Sequence, residues 1–355
     1  MTPLLVEARE HLSTSEAAEV DRLLGGIDTL AARGTIGEGK RGSLDADAVE
    51  GSTVLLARDG QGHLVGFATL QRHPASFGVE IVDSGTDPGE PVTRALLRRA
   101  GQEVERRGGG ALFYWVHVAG DAEPAVATAE GFTLDRELFE MRTPLPLQSD
   151  MVDAARPIVT RPFVPGVDEE AWLEVNNRAF AGHPEQSGWD MADLRAREAE
   201  PWFDPHGLLL LELEGRLAGS CWTKVHEEVD PHEGEIFVIA VDPDFEHQGL
   251  GRALTVAGYA YLAGLGLTEG ILYVDAANTA AVSLYRSLGL EVVRVDRAYV
   301  RTMPNQPLAG ATGASAACAR SGSPRRSGGP RDRSHRRRAW KRRAGAGRSA
   351  PASAR

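Results

Sequence analysis

From Glu235 to Leu254 the chain reads EIFVIAVDPDFEHQGLGRAL. A β-branched run stops sharply at Asp242-Pro243, a polar bend comes next, and glycines at 249 and 251 open an apolar helix. Physically this is an anion site: glycine lets backbone N–H groups approach a pyrophosphate closely, and the helix adds the positive end of its dipole. A Gly-rich strand-to-helix turn with no ligand has the same letters. What favours the anion site is context, with a strand ending at the bend and a helix beginning right after Gly251. Further on, ILYVDAANTAAVSLYRSLGLEVV places Asn278 at the opening of a second helix, Ala281 and Tyr285 near one face of it, and Gly289 at its end. Tyr285 is there either as a polar group facing the bend or as an ordinary residue of an amphipathic helix.

These residues need a scaffold, and the chain is long enough to supply more than one. At 355 residues it exceeds the size at which a single core usually stops growing. Apolar residues at 42% and charged residues at 25% place it among ordinary globular chains rather than disordered or fibrous ones. No apolar stretch approaches a membrane span and the N-terminus lacks a signal-like apolar run, so a cytoplasmic protein is expected. Cys221 and Cys318 are too few and too far apart for a disulfide framework or a zinc site, and no metal is expected. From Met303 onward there are 13 Lys or Arg against Asp332 alone, so the overall −11 becomes −23 for the rest of the chain. A body that acidic repels phosphate backbones, which argues against nucleic acid as a partner. An anionic ligand would need a local cradle of backbone donors, as at the 249–251 bend.

The same order of elements appears twice, at an offset of roughly 155 residues. VLLARDGQGHLVGFATLQ and LLLLELEGRLAGSCWTKV are paired strands around polar Gly turns. FGVEIV and GEIFVIAV, around Glu80 and Glu235, are buried strands leading into helices. Strands ALFYWVHV and GILYVDA, short helices ending at Gly131 and Gly289, and final strands LDRELFEMR and EVVRVDRAYVR complete each half. The expected fold class is α/β (α+β): two tandem domains, residues 1–150 and 155–302, each a mixed, mostly antiparallel twisted sheet flanked by helices. TPLPLQSDMVDAARP is the expected linker, and 303–355 a disordered basic tail. Offsetting Gly289 onto Gly131 puts Ala127 opposite Tyr285, and Asp83 to Glu90 stand where the second half has its Gly loop. The first half is therefore expected to be a degenerate copy.

Residues 246–251, Glu-His-Gln-Gly-Leu-Gly, resemble the signature of the GCN5-related N-acetyltransferase family, with Glu246 where the family has Gln or Arg. The resemblance implies acetyl-CoA as co-substrate. Its contacts would be Ile239, Ala240 and Val241 through the main chain of a splayed strand, then Glu246, His247, Gln248, Gly249, Leu250, Gly251 and Arg252. Asn278, Thr279, Ala280, Ala281, Val282 and Ser283 would complete them. It also implies that Tyr285 protonates the departing thiolate. Acyl transfer to an amine needs the amine neutral, so Glu235 is the candidate base, or else a solvated strand-end carboxylate. The N–H groups of Ile239 to Val241 would polarise the thioester carbonyl.

The tandem layout, with words such as Asn177-Arg178-Ala179-Phe180, Pro201-Trp202-Phe203-Asp204-Pro205 and Trp222-Thr223-Lys224-Val225-His226, resembles the mycothiol synthase family. That resemblance implies a small-molecule acceptor, the cysteinyl-glucosaminyl-inositol. Glu38, Glu185, Lys224, Glu235 and Tyr273 would contact it. Carboxylates and an aromatic wall suit a polyhydroxylated ammonium. Read singly, Lys224 and His226 are also a solvated strand end, Tyr273 a core residue and His183-Pro184 a turn. Two other functions stay open: an acetyltransferase acting on an aminoglycoside or protein amine, and a non-catalytic acyl-CoA binding module. A tandem pair can serve as its own dimer, so a monomer is expected.

Overall fold

Each alternating or β-branched run becomes a strand. A computed structural model of the protein describes residues 4–25, 52–73, 76–83, 89–117, 123–181, 188–227 and 229–304. In chain order these form β1 (Leu5–Arg9), α1 (Thr14–Gly25), β2 (Thr53–Arg58), β3 (Leu64–Arg72), β4 (Ser76–Asp83), α2 (Gly89–Arg106), β5 (Gly110–Val116), α3 (Glu123–Ala129) and β6 (Thr133–Pro144). They continue with α4 (Ser149–Asp153), β7 (Thr160–Pro162), α5 (Glu169–Ala179), α6 (Met191–Glu198), β8 (Leu208–Leu213), β9 (Arg216–His226), β10 (Glu233–Val241), α7 (Leu250–Gly264), β11 (Glu269–Asp275), α8 (Thr279–Arg286) and β12 (Glu291–Met303). None of the described helices is long and apolar enough to cross a membrane.

The strands join into one mixed sheet of 12, in the order β1-β2-β3-β4-β5-β12-β6-β11-β10-β9-β8-β7. Pairing is antiparallel except at β4–β5 and β10–β11. The repeat read from the sequence is visible, since β2 to β5 match β8 to β11 in order and direction. The last strand of each repeat, however, is exchanged. β6 pairs with β11 of the second half, while β12 pairs with β5 of the first and lies against β6.

Alternation decides which face each strand residue covers. Leu55 packs with Leu96, Leu97 and Val104 of α2, whereas Leu56 packs with Val20 of α1 on the opposite face. In the second half, Cys221 and Ile236 meet Leu254, Tyr259 and Leu262 of α7, while Trp222 and Val238 meet Trp172 of α5. The segment 143–157 departs from the expected polar linker. Thr143 and Pro144 end β6, Leu145 is buried in the α7 core, and Met151 packs against that core from α4. Its apolar residues are spaced to dock rather than to span.

Where the exchanged strands meet, a row of charges crosses one face of the sheet. His117 lies 2.9 Å from Asp296 and 3.6 Å from Glu80. Burial opposes the charge on His117, but the hydrogen bond to Asp296 and the nearby carboxylate of Glu80 outweigh it and raise the pKa to about 9. A histidine whose folded pKa is raised adds stability in full below its unfolded pKa, near 6.5, and loses it as pH rises through the folded value. Stability should therefore fall by up to about 3 kcal/mol between roughly pH 6.5 and 9. Denaturant midpoints across that range should show the slope, and His117→Gln should abolish it.

Candidate active site

Strand β10 is 9 residues long but pairs with β11 only at Gly234, Glu235 and Ile236. Its other edge stays zipped, with Val238 to Val241 opposite Trp222 to Gly219 of β9. A bulge between Ile236 and Val238 leaves Phe237 as the extra residue and re-aims the strand beyond it, as bulges beside sites often do. Backbone groups of residues 237–241 that point toward β11 therefore have no sheet partner. This is an internal strand edge that an extended, amide-bearing ligand can complete. Ile239, Ala240 and Val241 lie on it.

Asp242 ends the strand and organises the bend. Its Oδ1 accepts from the Asp244 amide at 2.9 Å and its Oδ2 pairs with Arg178 Nη1 at 3.0 Å. Arg178 Nη2 reaches Asp244 at 3.0 Å, so helix α5 is tied to the bend. His247 at φ 60° and Gly249 at φ 77° are both left-handed. Gly249 is the N-cap of α7, and no side chain caps that helix. The first-turn N–H groups are thus left for a ligand, and a Cβ at Gly249 would meet nothing within 4 Å. Donors, dipole and open space fit a diphosphate. Glu246, the unusual residue of the motif, is 55% exposed, so its charge is solvated. Gln248 accepts from Arg156 at 3.2 Å, and Arg252 hydrogen-bonds Ser287 at the end of α8, bracing the two helices. Leu250 and Val282 are core residues.

Asn278 has a role the sequence disclosed only in part. Its Oδ1 accepts from the Ala281 amide at 3.1 Å, which makes it the N-cap of α8. Thr279, Ala280 and Ser283 are exposed on that helix and Ala281 is half-buried. Tyr285 is buried, and none of the hydrogen bonds among the described residues uses its hydroxyl. Burial and the neighbouring Cys221 push its pKa upward.

The opposite face of β9 and β10 carries the other expected residues. Glu235 is buried and faces Lys224 in register, and His226 Nε2 lies 2.7 Å from Glu235 Oε2. Lys224 and His226 are buried too, which excludes the solvated strand end for all three. Lys224 Nζ sits 4.9 Å from the centre of the Trp202 ring, which meets Phe237 at 5.0 Å. Tyr273 on β11 is 38% exposed, so it is not a core residue. An aromatic wall with buried charges thus flanks the root of the β10–β11 split. His226, Trp202 and Phe237 join the site from structure; the runs Pro201-Trp202-Phe203 and Trp222 to His226 signalled the first two, and nothing signalled Phe237. Glu38 and Glu185 lie outside the described residues.

Residues 170–290 match the Acetyltransferase (GNAT) family. The mycothiol acetyltransferase of Thermobispora bispora is 44% identical over 256 residues, 71% of this chain and 84% of that protein. This chain belongs to the mycothiol acetyltransferase family. Two solved structures share the fold. A GCN5-related N-acetyltransferase from Sphaerobacter thermophilus has a TM-score of 0.66 at 20% identity, covering 84% of this chain and 96% of that one. A tandem GNAT protein from the clavulanic acid biosynthesis pathway has a TM-score of 0.61 at 17% identity, covering 85% and 100%. Membership of the mycothiol acetyltransferase family makes the chain an acetyl-CoA-dependent N-acetyltransferase.

Proposed function

We propose that the protein moves the acetyl group of acetyl-CoA to the cysteinyl amine of the cysteinyl-glucosaminyl-inositol, forming mycothiol. The observation that carries this reading is the position of Glu235, a buried carboxylate at the root of the β10–β11 split, backed by His226 and facing Lys224. Acetyl-CoA supplies an activated thioester. The amides of Ile239 to Val241 on the unpaired edge bind its extended arm and polarise the carbonyl, and the bend from Glu246 to Arg252 takes the diphosphate. Glu235 accepts the proton of the acceptor ammonium, directly or through a water, so that the nitrogen lone pair can attack.

Tyr285 then donates its proton to the departing sulfur. Its burial keeps the hydroxyl protonated at neutral pH, so the proton is available to the thiolate as it leaves. On the acceptor side, Lys224, Tyr273 and the Trp202–Phe237 wall would hold the sugar and inositol, with Glu38 and Glu185 as further contacts.

The test is an assay with acetyl-CoA and the cysteinyl-glucosaminyl-inositol, completed by thiol titration of the product. Acetylation on nitrogen leaves the cysteine sulfur free. Turnover with an aminoglycoside or protein amine instead would replace the acceptor, and binding without turnover would leave a non-catalytic acyl-CoA module. The bend has its own test. Gly249→Ala puts a Cβ into the open space and costs about 1 kcal/mol of left-handed strain. It should raise the acetyl-CoA Kd about tenfold by calorimetry, leaving the acceptor KM near that of the parent.

A further inference from the structure

Register sets Glu140 of β6 directly between Tyr273 of β11 and Arg294 of β12. The alignment depends on a bulge in β12: the register shifts between Val292 and Arg294, leaving Val293 as the extra residue and turning Arg294 onto the face of Glu140. The Tyr273 hydroxyl donates to Glu140 Oε2 at 3.2 Å, and Arg294 Nη2 donates to that hydroxyl at 3.2 Å. Arg294 Nη1 also pairs with the same Glu140 oxygen at 3.2 Å, and its guanidinium lies 5.7 Å from the Tyr273 ring centre. Asp296 pairs with Arg294 at 3.1 Å and Arg142 with Glu140 at 3.0 Å, fixing the cluster from both ends.

Glu140 is buried, whereas Tyr273 is partly open to solvent. Burying paired charges seldom raises stability above what an apolar pair of similar volume would give. Here the charges converge on one partly exposed hydroxyl and leave it a single orientation. Both strands that bring them are the exchanged ones, so the first half contributes Glu140 through β6.

We propose that Glu140 and Arg294 are positioning residues for acceptor recognition, holding Tyr273 as a fixed wall and hydroxyl of the acceptor cleft. The proposal rests on the acceptor reading given above. Glu140→Gln keeps shape and acceptor oxygen but removes the charge that orders Arg294. It should raise the acceptor KM about tenfold, with kcat and the acetyl-CoA KM within about twofold. In a Tyr273→Phe background the same change should add little, because both act through one hydroxyl. Arg294→Met should behave like Glu140→Gln, and Arg294→Lys should restore part of the loss. Should Glu140→Gln not fold, the Arg294 pair carries the same comparison. An unmoved acceptor KM, a full additive effect with Tyr273→Phe, or an equal rise in the acetyl-CoA KM would overturn the proposal. Failure of the wild-type protein to acetylate the cysteinyl sugar would instead overturn the reading beneath it.

Discussion

Tyr285→Phe should lower kcat at least about 100-fold while the KM for acetyl-CoA stays within about twofold. The side chain is buried and the substitution removes only an oxygen, so packing against Leu288 and Leu290 of the same core cluster is kept. Nothing among the described residues depends on the hydroxyl for a hydrogen bond. A loss confined to kcat identifies proton delivery to the sulfur. Unchanged turnover would show that water or another group protonates the thiolate, and the melting temperature would register any effect on packing.

Glu235→Gln should cost a comparable factor, on the order of 100-fold in kcat, but with a different signature. Without a carboxylate at the root of the split, solvent must deprotonate the acceptor ammonium. The variant's rate should then climb with rising pH over a range in which the parent's does not. His226, at 2.7 Å, also loses its carboxylate partner in a buried place, so some stability is lost as well. A variant as active as the parent near neutral pH would remove Glu235 from the chemistry and leave it as an acceptor contact at most.

The bend and its helix were legible because glycine has a physical reason to stand there. Gly249 is left-handed at the start of α7, and Gly131 and Gly289 end the equivalent short helices with φ of 79° and 80°. The strands were legible from alternation. What the sequence did not disclose was the partner of each last strand. β6 and β12 carry similar patterns, and a pattern fixes which face a strand covers without naming its neighbour. The exchange therefore had to be seen, and with it the meeting of Glu140, Arg294 and Tyr273.

The charges of that row gave no signal for the same reason. Glu140 and Arg142, or Arg294 and Asp296, stand two apart along their strands, and only the pairing stacks them on one another. Asn278 shows the opposite case. An Asn opening a helix is an ordinary capping signal, and the family likeness drew the reading toward the ligand alone. Glu80 faces Thr69 of β3 as Val238 faces Trp222 of β9, so it stands where β10 has Val238; the place of Glu235 is held by Gly78, opposite Gln71. Glu80 lies instead beside His117, which it shares with Asp296 from an exchanged strand. Ala127 is buried where the second half has Tyr285.

On the proposed reading, main-chain amides hold acetyl-CoA, its arm along the unpaired edge of β10 and its diphosphate at the bend before α7. Backbone hydrogen exchange with and without acetyl-CoA tests this most directly. Exchange should slow at Ile239 to Val241 and at Glu246 to Arg252, with little change at the matching strand end of the first half. Saturating acetyl-CoA that left those amides as fast as in the free protein would contradict it.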